Sequence, residues 1–273
     1  MLKVAILAGG RGTRLAEETE LRPKPLVEIG GRPILWHIMK HFAHHGHKDF
    51  LVALGYKGEL IKKYFVDYAT LQGNLRIVTA SGDVSRSECV DDWNLNLIDT
   101  GNESMTGGRI LHLRPWLERE TFLVTYGDGV SDVDLDRLVQ FHRAQGKIAT
   151  LTAVRPPARF GSLVFDGDGI TRFAEKAQTE EGWINGGYLV FEPEVFDYLQ
   201  SPQDSLEADV LERLASEGQL AGYRHAGFWQ CMDTLREKQL LNRLWESGTA
   251  DWNVWSDPLR AAGEPAGSRA RAA

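Results

Sequence analysis

The densest chemistry in the sequence is the run Leu7-Ala8-Gly9-Gly10-Arg11-Gly12-Thr13-Arg14, followed by Arg22-Pro23-Lys24-Pro25. Glycines directly after a strand let backbone N–H groups come close to a phosphate, and the first turn at a sheet's carboxyl edge is where α/β proteins bind ligands. The spacing is neither the dinucleotide-binding fingerprint nor the P-loop, which needs Gly-Lys-Ser/Thr. Arg14 adds a permanently charged, bidentate phosphate clamp, and Lys24 a compact point charge between two prolines. The plain alternative is a glycine-rich turn with two solvated cations.

Acidic residues supply the complementary chemistry. The apolar run Phe122–Tyr126 ends in Gly127-Asp128-Gly129. A carboxylate at a strand's carboxyl end, opposite a phosphate loop, suits Mg²⁺, which takes one or two protein carboxylates plus phosphate oxygens. Asp233, in Gly227-Phe228-Trp229-Gln230-Cys231-Met232-Asp233-Thr234, is a second acid able to close such a site, or else an ordinary helix cap. Asp132-Val133-Asp134 and Asp136 have the spacing of a glycosyltransferase D-x-D, but N-capping and first-turn acids explain them more simply. Glu175-Lys176 and Asn185-Gly186-Gly187 flank an expected hairpin. Such a Lys can hold a sugar phosphate while the Glu accepts sugar hydroxyls, although a solvated surface pair looks the same in sequence. His37, His41 and His45 recur at i, i+4, i+8; with no Glu or Cys beside them they read as structural.

Alternating elements must position these groups. Strands are expected at Lys3–Ala8, Asp49–Leu54, Leu75–Ala80, Asn94–Asp99, Phe122–Tyr126, Ile148–Val154, Leu163–Phe165, Trp183–Phe191 and Gln219–Arg224. Helices are expected from Pro33 to His45, then at Gly58–Tyr68, Gly108–Leu117, Leu135–Gln145, Glu194–Leu199, Leu206–Ser216 and Thr234–Trp245. The alternation predicts an α/β fold: a Rossmann-like, mainly parallel sheet with helices on both faces. The less regular second half predicts a smaller, appended β-rich antiparallel element. Ser81–Asp92 reads as a polar surface excursion, able to serve as a lid. Residues 256–273 carry almost nothing to bury and are expected to be a disordered tail.

Composition narrows the function classes. With 273 residues, 42% hydrophobic and 25% charged, the chain can bury a large core, which excludes wholesale disorder. A net charge of −7 gives no footing for nucleic acid or an anionic membrane surface. The apolar run Val4–Ala8 is too short for a signal segment or a bilayer span. Cys89 and Cys231 fit no metal spacing and no disulfide framework, which suits a reducing cytoplasm.

Taken together, these residues resemble the sugar-1-phosphate nucleotidyltransferase family, and within it the glucose-1-phosphate cytidylyltransferase branch. The Leu7–Arg14 segment with Lys24 is similar to the superfamily signature. Pro33–Lys40, Asp99–Gly101, Ser104–Arg109, Thr125–Val130, Ile184–Gly187 and Gly227–Thr234 are similar to the branch. The resemblance implies one nucleotidyltransferase domain over 1–255, with a nucleotide-binding half to about 130 and a sugar-binding half after it. It implies Mg²⁺-dependent transfer of CMP from CTP to glucose 1-phosphate; the same chemistry with UTP, dTTP or another sugar phosphate is the near alternative. It implies that Arg14, Lys24 and Asp128 are catalytic and that Asp128 and Asp233 ligate the metal. Leu7, Ala8, Gly9, Gly10, Arg11, Gly12, Thr13, Arg14, Lys24, Ser104, Arg109 and Gly127 would hold the nucleotide, and Glu175, Lys176 and Asn185 the sugar phosphate. Many relatives follow the Glu-Lys pair with proline; here Ala177 stands there. A homo-oligomer is also expected, from relatives and from the apolar residues Phe228, Trp229, Leu240, Leu241, Leu244, Trp245, Trp252 and Trp255.

Overall fold

A computed structural model describes residues 1–273 apart from 72–73, 87–90, 157–161, 167–168, 175–181 and 257–273. Its centre is a seven-stranded sheet. The strands are β1 (Lys3–Leu7), β2 (Asp49–Leu54), β3 (Asn94–Asp99), β4 (Phe122–Tyr126), β5 (Ala149–Val154), β6 (Ile184–Phe191) and β7 (Leu220–His225). They lie in the order β7-β5-β6-β4-β1-β2-β3. All neighbours run parallel except at β6, which is antiparallel to both β4 and β5. The mainly parallel sheet is as expected, and one antiparallel strand, β6, lies inside it. Further antiparallel pairs are small: Ser162–Asp166 with Gly169–Ala174, and Gly129–Ser131 with Trp229–Cys231.

Period-2 alternation in β1 feeds two cores, Val4 and Ile6 facing one and Ala5 and Leu7 the other. The first core is covered by α1 (Ile34–His44), α2 (Gly58–Leu71), α4 (Leu135–Gln145) and α5 (Leu235–Glu246). The second is covered by α3 (Thr106–His112) and the helical stretch Leu206–Ser216. Helices therefore lie on both faces. None of the described helices is long and apolar enough to cross a membrane.

Three expectations are corrected. Leu75–Val78 joins no central strand; it pairs with Asp83–Arg86 around a turn where Gly82 takes φ +77°, leaving Leu75, Ile77 and Val84 exposed. The helix expected over Gly108–Leu117 breaks at Leu113, because Pro115 has no N–H to continue it and instead opens the short turn Arg114–Leu117. The C-terminal aromatics are not an uncovered face. Trp252 is fully buried, Phe228 stacks on it at 5.3 Å, and Trp245 meets His37 edge-on at 4.7 Å. That apolar surface covers the α1 layer of the same chain. Of the expected tail, Ser256 ends the short helical turn Val254–Ser256, and residues 257–273 lie outside the described residues, as do 87–90 of the Ser81–Asp92 segment.

His37 and His41 are buried in α1, and their Nε2–H groups donate to the carbonyls of Ile29 (2.9 Å) and Val133 (2.8 Å). Burial pushes His37 down to about 4, His41 to about 3 and His47 to about 4. The unfolded chain takes up these protons near pH 6.5 and the folded chain does not, so stability falls as pH drops below about 6.5 and keeps falling to about 4. A tenfold loss of proton affinity corresponds to about 1.4 kcal/mol, so the rings together put several kcal/mol at stake. Urea midpoints at pH 7, 6 and 5, above the usual carboxylate range, are expected to decline steadily. A flat profile would show these histidines to be accessible.

Candidate active site

The site is assembled at the carboxyl ends of β1 and β4. The loop after β1 is pinned from beneath by Arg109, only 4% exposed. Its guanidinium donates to the carbonyls of Gly9 (3.1 Å), Leu54 (3.1 Å) and Gly101 (2.9 Å) and to Thr100 Oγ1 (2.7 Å). A Cβ at Gly9 would stand 2.2 Å from Arg109 Nη1, so any larger residue there would displace the guanidinium that braces the loop. Gly12 takes φ +63°, which glycine adopts at little cost. These contacts account for two of the loop's glycines by geometry.

A cleft of about 410 Å³ opens over this loop. It gathers Leu7, Ala8, Gly9, Gly10, Gly12, Thr13, Arg14, Lys24, Ser104, Arg109, Gly127, Asp128 and Asp233, segments far apart in sequence. Arg11 is the exception: it turns outward to pair with Glu103 at 2.5 Å. Arg109 lies at the cleft wall, and its hydrogen bonds tie the loop at Gly9 to Leu54, Thr100 and Gly101.

At the floor stands Lys24, held in a single helical turn, Lys24–Leu26, that Pro23 and Pro25 help to fix. Its ammonium donates to Asp128 Oδ2 (2.7 Å) and Asp233 Oδ1 (2.5 Å). Burial opposes its charge, but the two carboxylates outweigh burial and hold its pKa above the usual 10.5, so it stays protonated. Arg14 Nη1 donates to the other oxygen of Asp233 at 2.8 Å. The Asp233 carboxylate can take this role because Thr234, not Asp233, caps α5, in a reciprocal box with Glu237.

A divalent cation fits this donor set. Two carboxylates already converge on one point charge, and oxygen donors suit a hard ion such as Mg²⁺. A thiol is close by, Cys231 Sγ being 3.9 Å from Asp233 Oδ2. Burial pushes its thiol up to about 12, and a protonated thiol is a poor ligand.

A smaller pocket shares Tyr126 and Asp128 with the cleft and adds Asn185, Gly186, Trp229 and Cys231. Asn185 Oδ1 accepts from Gly187 N at 2.9 Å, and Trp229 Nε1 donates to the Gly186 carbonyl at 2.7 Å. Glu175, Lys176 and Ala177 lie outside the described residues.

The acids after β4 serve other ends. Asp134 caps α4 by accepting from Arg137 N (2.9 Å), and Asp132 accepts from His225 Nε2 (2.9 Å). Asp136 pairs with His45 at 3.1 Å. His45, Asp134 and Asp136 are close enough to chelate, yet each has one of these local partners. Tyr126, Thr106 and Glu207 also line the cleft and were not singled out from sequence. Tyr126 had a usable signal, since it immediately precedes Gly127-Asp128. Glu207 had none, because an acid in a helix's first turn is ordinary.

Comparison with known proteins adds the following. Residues 3–257 match the nucleotidyl transferase family. The chain is 47% identical over 256 residues to a glucose-1-phosphate cytidylyltransferase of Salmonella typhi, covering 93% of this chain and all of that one. It is 41% identical over 255 residues to a probable glucose-1-phosphate cytidylyltransferase of Bacillus subtilis, with the same coverage. In fold it is similar to HddC from Yersinia pseudotuberculosis, with a TM-score of 0.68 at 22% identity, over 90% of this chain and all of that one.

Proposed function

The chain belongs to the nucleotidyl transferase family, and from that premise we propose that it joins CTP and α-D-glucose 1-phosphate into CDP-glucose and pyrophosphate. A phosphate oxygen of the sugar phosphate bonds to the α-phosphorus of CTP as the bond from that phosphorus to the bridging oxygen breaks. Pyrophosphate leaves with that oxygen. The attacking oxygen is already ionised near neutrality, so no proton has to be removed and no general base is required. What the reaction needs is alignment and neutralised charge.

The observation that carries this reading is the Lys24 ammonium between Asp128 and Asp233 at the floor of the glycine-loop cleft. In this reading Lys24 and Arg14 face the triphosphate, and backbone N–H groups of Gly9 to Thr13 receive its oxygens. Ser104 and the loop braced by Arg109 sit beside the nucleotide, while Asn185 with Glu175 and Lys176 receives the sugar phosphate. Asp128 and Asp233 would hold Mg²⁺, which neutralises charge on the reacting phosphates when bound. No observation favours a glycosyltransferase, since Asp132 and Asp134 are engaged in a histidine pair and a helix cap. A cytoplasmic location, where CTP is available, and a homo-oligomeric state belong to the same reading. The latter rests on family resemblance and not on the C-terminal aromatics.

The test is pyrophosphate release in Mg²⁺ from CTP, UTP, dTTP and GTP, each against several sugar 1-phosphates. The CTP and glucose 1-phosphate pair is expected to give the highest kcat/KM. Release from no pair would refute the reaction class; a faster pair with UTP or dTTP would refute the base assignment alone.

A further inference from the structure

Tyr126, at the end of β4, borders both the large cleft and the smaller pocket, and contacts on both its hydroxyl and its ring fix its position. Its hydroxyl donates to Glu207 Oε1 and accepts from Asn185 Nδ2 at 3.4 Å. Its ring lies against the backbone of Gly187, where a Cβ would come within 2.6 Å of Tyr126 Cδ2 and where φ is +79°. Gly187 thus leaves room for the ring.

Glu207 is tied in turn to two other elements. Its Oε2 accepts from Thr106 Oγ1 (2.7 Å) at the start of α3 and from Ser205 Oγ (2.9 Å) before its own helix. Thr106 Oγ1 also accepts from Leu206 N at 2.9 Å. Burial works to raise the Glu207 pKa, but hydrogen bonds from Tyr126, Thr106 and Ser205 outweigh it and hold the group below the usual carboxylate range. An ionised carboxylate receiving three hydroxyl donors is a rigid anchor.

Resting on the reading that the cleft takes the nucleotide and the smaller pocket the sugar phosphate, we propose that Glu207 is a positioning residue. It fixes Tyr126 as the partition between the two substrates and so sets the alignment of the sugar phosphate beside Asp128. The nucleotide loop is braced by four hydrogen bonds of Arg109 to Gly9, Leu54, Thr100 and Gly101, so the single Thr106–Glu207 bond at the start of the same helix is a minor part of its support. Loss of the anchor should therefore fall on one substrate. Misplacing a reacting group by about 1 Å can cost on the order of a hundredfold in rate.

The experiment is steady-state kinetics on Glu207→Gln, Tyr126→Phe and the double variant, with CTP and glucose 1-phosphate varied separately. Each single change is expected to raise KM for glucose 1-phosphate about tenfold while KM for CTP stays within about twofold. Acting through one another, the two changes together should be no worse than the more damaging single one. Tyr126→Phe leaves Glu207 its bonds from Thr106 and Ser205, so it carries the test if Glu207→Gln unfolds. Equal shifts in both KM values, no shift in either, or additive losses would overturn the positioning role. If wild-type protein releases no pyrophosphate with any pair, the underlying reading fails instead.

Discussion

Replacing Lys24 by alanine is expected to lower kcat by about two to four orders of magnitude with the fold intact, the range for losing a preorganised charge stabiliser. The turn that carries it does not need its side chain: Pro23 and Pro25 help fix the backbone, and Leu26 and Val27 supply the burial. What disappears is the one ammonium held by both Asp128 and Asp233, so the two carboxylates and the incoming triphosphate face each other with less compensation. Arg14 cannot replace it, because Arg14 is largely exposed and reaches only Asp233. Lys24→Arg should rescue poorly, since a planar guanidinium is larger and has to fit where the lysine side chain is only 10% exposed. Single-turnover pyrophosphate release at saturating CTP decides the point. A variant keeping more than about a third of wild-type kcat would remove Lys24 from the mechanism, whereas an unchanged melting temperature with a large loss would support it.

Much of this site was legible in one dimension. Glycine runs after a short apolar strand, and an acid between glycines after another, mark the carboxyl edge of a parallel sheet before any fold is known. The β1, β2, β3 and β4 positions follow from runs of Val, Ile, Leu and Phe bounded by turn residues. Less legible were decisions settled by contact between distant segments. Leu75–Val78 has the pattern of a sheet strand, yet its apolar side chains remain exposed in a separate hairpin. Asp233 reads in sequence as either cap or ligand; the cap is Thr234, a choice of one residue that sequence leaves open. Arg109 reads as a ligand contact in the motif; sequence does not show that, while lining the cleft, its buried guanidinium also bonds the carbonyls of Gly9, Leu54 and Gly101. Glu207 reaches the cleft only because the Leu206–Ser216 stretch packs beside α3. Its sequence separation of 81 residues from Tyr126 carries no local signal.

Asp128→Asn and Asp233→Asn are each expected to raise the Mg²⁺ concentration needed for half-maximal activity on the order of 10–100-fold, the loss that follows even an outer partner's removal from a metal site. Asp132→Asn is expected to leave it unchanged. The amide keeps the side chain's shape and removes the negative charge that a hard cation requires. The two effective positions should also differ from each other. Asp128 gives Lys24 one oxygen and is about a third exposed, so its loss should fall mainly on the metal requirement. Asp233 holds Lys24 with one oxygen and Arg14 with the other, so its loss releases both cations and should raise KM for CTP as well. Asp132 is bonded to His225 Nε2. Changing it should therefore perturb the 129–131 ribbon and not the metal. Activation curves for Mg²⁺ and Mn²⁺ at fixed CTP separate these cases. A steep rise for Asp132→Asn with none for Asp128→Asn would move the metal to the D-x-D acids and restore the glycosyltransferase reading.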